Sequence, residues 1–99
     1  MITEIALITI DPSKAAEFEA AVAKAAPVFQ RAAGCHGMSL ERGIEDPSKY
    51  WLRVLWETVD HHLVTFRQSD DFQIWRGHAG PFFAHPPQVE HSEAVAVHF

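Results

Sequence analysis

The chain predicts an α+β domain of the ferredoxin-like kind, with element order β-α-β-β-α-β and one antiparallel sheet carrying helices on one face. Three observations predict it. Short segments rich in β-branched residues alternate with segments of helical period. Asp46-Pro47-Ser48-Lys49, between the second and third strands, is short enough to demand an antiparallel hairpin. The third strand, YWLRVLWE (50–57), is apolar on both faces, so both sides of the sheet need a cover.

Each element follows in order. ITEIALITI (2–10) is short and β-branched, which predicts a strand. Asp11 as a cap and Pro12 in the first turn then start a helix. Phe18, Val22, Ala25 and Phe29 form its apolar stripe. Pro27 is expected to kink this helix or end its regular part near Ala26, and Gly34 to cap its end. CHGMSLERGIE (35–45) reads as the second strand. In the third, Tyr50, Leu52, Val54 and Trp56 share one face, and Trp51, Arg53, Leu55 and Glu57 the other. Thr58 caps a predicted helix over 59–68, and Ser69 another over 70–78 with Asp70 and Asp71 suiting its dipole. Gly80-Pro81 breaks the pattern, and Pro86-Pro87 leads into a last strand over 89–98.

Residues 1–99 are expected to form a single domain. Eight basic and 13 acidic residues give a net charge of −5 with His neutral. That is the wrong sign for nucleic acid or an anionic membrane. No apolar run approaches the ~18 residues of a membrane span. Met1 leads into a strand without a basic leader, and the single Cys35 forms no intramolecular disulfide, so a cytoplasmic location is expected. Beside His36, Cys35 reads either as an activated thiol or as a small residue starting a strand. A second copy is the economical cover for the open sheet face. The expected assembly is therefore a homodimer, two sheets facing each other as a dimeric α+β barrel with a cavity between each sheet and its helices.

The stretch from Trp56 to Phe83 holds two of the three Trp, four of the seven Phe and three of the seven His. It supplies the candidate site. His62 is the candidate base, with an ordinary pKa near neutrality. Arg76 is the candidate stabiliser of a developing oxyanion. Trp56, Phe66, Phe72, Trp75, Phe82 and Phe83 would pack on a flat aromatic ligand. The plainer reading makes Phe66, Phe72 and Trp75 the core face of a split helix, and His62 part of a hydrogen-bond network. It pairs Arg76 with Asp71, Glu57 or a partner chain, and makes Phe82-Phe83 a plug or lid. The His residues lack metal-ligand spacing, so no metal site is expected.

Trp56-Glu57, His62, Phe66-Arg67-x-Ser69, Phe72, Trp75-Arg76, Gly80-Pro81-Phe82-Phe83 and Pro86-Pro87-x-Val89-Glu90-His91 together resemble the antibiotic biosynthesis monooxygenase family of the dimeric α+β barrel superfamily. The element order extends the resemblance over nearly the whole chain. It implies oxidation of an anthrone- or quinol-like aromatic by dioxygen, with no metal, flavin or other cofactor. It implies catalytic roles for Trp56 and Arg76, which match the family's Trp and Arg. Leu52 stands where the family has Asn, and His62 where a Tyr is often found. Leu52 and His91 join the expected substrate-binding set. The haem-degrading branch has Trp at the position of Phe66 and a proximal His at that of Arg76, and this chain has neither. The alternative of another class is a non-catalytic ligand-binding or structural dimer.

Overall fold

The computed structural model describes all residues from Met1 to Phe99. Its four strands are β1 (Ile2–Thr9), β2 (Cys35–Arg42), β3 (Lys49–Trp56) and β4 (Gln88–Glu93). They form one antiparallel sheet in the order β2-β3-β1-β4. Two α-helices, α1 (Ala15–Gln30) and α2 (Asp70–Ala79), cover one face. The predicted ferredoxin-like architecture is the one observed.

Alternation along the strands sorts the two faces. Glu4, Ala6 and Ile8 of β1 are buried, as are Tyr50, Leu52, Val54 and Trp56 of β3. All of these but Glu4 meet Phe18, Val22, Ala25, Val28 and Phe29 of α1 and Trp75 and Ala79 of α2 in one core. Phe18 packs edge-on against Tyr50 at 4.9 Å and Phe29 against Trp75 at 5.1 Å between ring centroids, geometries that aromatic quadrupoles favour. The other face carries Ile5, Leu7, Trp51 and Leu55, which this single chain only half covers.

The caps formed where the residue types demanded them. Asp11 accepts from the Ser13 amide at 3.0 Å over a short 3-10 turn (Pro12–Lys14). Thr58 Oγ1 accepts from the His61 amide at 3.2 Å, and Ser69 Oγ from the Phe72 amide at 3.2 Å. The hairpin turn closes through Lys49 N–H donating to Asp46 O at 3.1 Å.

Four boundaries differ from expectation. Helix α1 continues through Pro27 to Gln30. The ring removes the bond to the carbonyl of Ala23, and both residues are exposed, so that carbonyl faces solvent. Strand β2 stops at Arg42 rather than residue 45: Gly43 N–H still donates in register to the Lys49 carbonyl at 2.8 Å, and beyond that pair the chain is taken up by the Asp46–Lys49 turn. The predicted helix over 59–68 starts as expected at Val59 but runs on from His61 to Phe66 as a π-helical turn, with His62 and Phe66 both directed inward. Strand β4 ends at Glu93 rather than residue 98, because Glu93 pairs with Ile2, where β1 begins. Beyond it Val95, Val97 and Phe99 are exposed.

Gly34 lies three residues beyond the Arg31 cap of α1, in the turn into β2, with φ at +77°. A Cβ there would fall 2.4 Å from the His61 ring. Backbone conformation and space both demand glycine.

Candidate functional site

Between the helical face of the sheet and α2 lies a cavity of about 440 Å³. Its floor is Glu4, Ala6 and Ile8 of β1, with Leu52 of β3 and Val89 of β4. Phe72, Trp75 and Arg76 enter from α2, His62 and Arg67 from the π-helical turn and the residue after it. Gly80, Phe83, His85, Pro86 and Pro87, from the segment joining α2 to β4, close the remaining side.

Glu4 is the unusual residue of this floor, a carboxylate only 5% exposed. The β1–β3 and β1–β4 registers set Glu4 opposite Val54 and His91. Trp56 Nε1–H donates to Glu4 Oε1 at 2.9 Å, and His62 Nε2 lies 3.3 Å from the same oxygen. His62 Nδ1 is 2.8 Å from His91 Nε2. His62 also stacks on Trp56, ring centroids 5.5 Å apart and planes 16° apart. The tautomer that suits these contacts turns His62 Nε2–H toward the Glu4 carboxylate and has Nδ1 accept Nε2–H from His91. Glu4, His62 and His91 thus form a chain, not a ring of ligands around a point, and no three His, Cys, Asp or Glu side chains converge as a metal would require.

The electrostatics divide the pair. Burial pushes the Glu4 carboxyl up to about 6, and the Trp56 hydrogen bond and the Arg67 charge only partly offset it. Burial drives His62 down to about 4, helped by repulsion from Arg67 and His91. At neutral pH the contact is therefore between a carboxylate and a neutral imidazole, not an ion pair.

These shifts affect stability with opposite signs. The folded state binds fewer protons at His62 than the unfolded chain, so stability falls as pH drops from about 6.5 toward 4. The folded state binds more at Glu4, so stability falls as pH rises from about 4.5 through 6. The two slopes oppose one another between about pH 4.5 and 6, which makes a whole-protein melting curve uninformative there. An NMR titration of the ring nitrogens resolves them: His62 is expected to stay neutral at about pH 5. An imidazolium signature there would contradict the tautomer assigned above.

The sequence candidates separate into two groups. His62, Arg76, Leu52, Phe72, Trp75 and Phe83 line the cavity. Trp56 is fully buried behind it and reaches it only through Glu4 and His62. Phe66 is a core residue, 4.8 Å from Phe29 and 5.4 Å from Trp56 between centroids. Phe82 turns away to pack on Phe18 at 5.9 Å. His91 touches the site through His62. Arg76 has none of the expected acidic partners: Asp71 is held bidentately by Arg31 at 2.6 and 2.8 Å, and Glu57 lies by His36 and His61. Its guanidinium instead sits 6.0 Å over the Phe72 ring. Cys35 lies outside the cavity, and burial raises its pKa, the opposite of activation.

Among the titratable side chains that line the cavity, Glu4, Arg67 and His85 were not candidates from the sequence. A signal existed for Glu4: strand alternation puts it on the same face as Ala6 and Ile8, where a lone acid needs partners.

Residues 1–77 match the family described as antibiotic biosynthesis monooxygenase. The uncharacterized protein YczJ of Bacillus subtilis is 36% identical over 95 residues, covering 96% of this chain and all of YczJ. The crystal structure of a candidate antibiotic biosynthesis monooxygenase from Bordetella bronchiseptica superposes with a TM-score of 0.94 at 57% identity, covering 96% of this chain and 97% of that one. SnoaB, a cofactor-independent oxygenase from Streptomyces nogalater solved as a point mutant, shares the fold at a TM-score of 0.78 and 20% identity, with 98% and 95% covered.

Proposed function

The chain belongs to the antibiotic biosynthesis monooxygenase family, and on that premise we propose that it oxidises an anthrone- or quinol-like aromatic with dioxygen and no cofactor. Glu4 takes a proton from the substrate's acidic C–H or O–H, the role first expected of His62, whose Nδ1 is engaged by His91 and whose Nε2 faces Glu4. The electron pair stays on the substrate as an enolate or phenolate. Arg76 stabilises the oxygen on which the charge settles on the far side of the conjugated ring from Glu4, and His62 and Trp56 hold the Glu4 carboxylate in place. The carbanion passes electrons to dioxygen and a C–O bond forms, giving a hydroperoxide after protonation. Loss of water across the C–O–O unit breaks the O–O bond and leaves the ketone. One oxygen atom stays in the product and the other leaves as water.

The observation that carries this reading is a buried carboxylate with a pKa of about 6 opening onto an aromatic-walled cavity. A base poised near neutrality is what proton abstraction at physiological pH requires. The test is oxygen uptake in chelated, flavin-free buffer with a panel of anthrones and hydroquinones. Uptake is expected in the wild type, reduced roughly 10²-fold in Arg76→Ala, the usual cost of losing one oxyanion donor. No uptake above the spontaneous rate with any substrate would favour the non-catalytic ligand-binding dimer, to which Leu52 in the Asn position also points.

The reading includes a homodimer. Half-covered Ile5, Leu7, Trp51 and Leu55 form an apolar face on the side away from the helices, which a second copy of the same sheet would bury. Sedimentation at micromolar concentration is expected to give roughly twice the 11.1 kDa chain mass. A clean monomer would remove the barrel from the proposal.

A further inference from the structure

The five arginines of this chain divide into two kinds. Arg31 bonds Asp71 at 2.6 Å, Arg53 bonds Glu41 at 2.7 Å and Arg42 bonds Glu19 at 3.3 Å. Arg67 and Arg76 have no carboxylate partner, and these are the two that line the cavity. Acids are not scarce in a chain with 13 of them. Nor does the half-covered face of the sheet hold their partners, because both arginines lie on the helical side. Against these two cations the cavity lining presents one acid, Glu4, on its floor. Glu4 is already engaged by Trp56 and His62.

We infer that this cavity takes a planar aromatic anion, whose ring packs among Phe72, Trp75 and Phe83 and whose carboxylate or equivalent group is held by Arg67 and Arg76. The chemistry suits the elements that supply it. Guanidinium forks match a carboxylate's two oxygens. The aromatic wall supplies apolar contact area to a flat ring. Glu4, on the sheet rather than the helices, accepts a hydrogen bond from a hydroxyl elsewhere on the same ligand. A substrate with an anion at one end and a weakly acidic hydroxyl at the other would be oriented by these two unlike contacts. The inference deepens the proposed function and rests on its pocket, but binding is measured without turnover, so each can fail alone.

The test is calorimetric titration with a hydroxynaphthoate whose carboxylate and hydroxyl sit at opposite ends, compared with its neutral carboxamide. Both arginines are exposed, so Arg67→Gln and Arg76→Gln leave the core in place. The wild type is expected to bind the acid roughly tenfold or more tightly than the amide, the range of a charged hydrogen bond. Added salt should narrow the gap. Each single variant should reduce the preference and the double variant abolish it. Equal affinity for acid and amide overturns the inference, as does a preference that survives the double variant, or saturable binding of neither compound. A preference for the acid without any oxygen uptake would leave the inference standing and sink the oxygenase.

Discussion

Glu4→Gln is expected to lower kcat/KM by roughly two to four orders of magnitude, the usual worth of a positioned general base. The wild-type profile should rise with pH through about 6 as the carboxyl ionises, and the variant should lose that limb. Gln keeps an oxygen to accept the Trp56 donor while removing a buried charge. A carboxyl raised from 4.5 to about 6 costs the folded state about 2 kcal/mol above pH 6. The variant is therefore expected to unfold at equal or higher denaturant concentration at pH 7 and above while losing turnover. That opposition separates a catalytic role from a structural one, which would move both in the same direction. A variant that keeps its pH limb would show that the proton goes elsewhere.

Trp56→Ala should produce the largest loss of stability among the site residues. The side chain is fully buried, stacks on His62, touches Phe66 and donates to Glu4. Truncation of a buried Trp costs about 3–5 kcal/mol. In a domain of this size that lowers Tm by more than about 12 °C. Trp56→Phe separates packing from hydrogen bonding. It keeps most of the volume and loses the indole N–H, at an expected cost of about 1–3 kcal/mol. The lost donor favoured the ionised form of Glu4, so the pH limb should also move upward. Equilibrium denaturation and a pH–rate profile on the same samples check both. An unmoved limb would disconnect Trp56 from the proton chemistry.

Residues whose meaning is local were readable in the sequence. Asp11, Ser69 and the Asp46–Lys49 turn act on neighbours within three residues, and each did as its type predicts. Features that depend on distant chain were not. β4 is as long as its pairing with β1 permits, and nothing in Val95 or Val97 announces where that partner begins. A π-turn and an α-turn differ little in pattern over six residues, so the turn type was hidden, whereas the shared face of His62 and Phe66, four residues apart, follows from either. Arg76 was found through a motif, but its lack of an acidic partner depends on Arg31 reaching Asp71 from another helix. Glu4 becomes a site residue only when β1, β3, β4 and the π-turn meet around it.

The closeness of Gly34 to His61 has a consequence for reading related sequences. With the His61 ring 2.4 Å from where a Cβ would lie, the two positions are one steric decision. A relative that keeps this backbone and carries a side chain at position 34 must carry a smaller or differently turned group at position 61. Position 61 is next to His62, so the loop between α1 and β2 constrains how the turn bearing the Glu4 partner is built. Substitution at these two sites should therefore be paired.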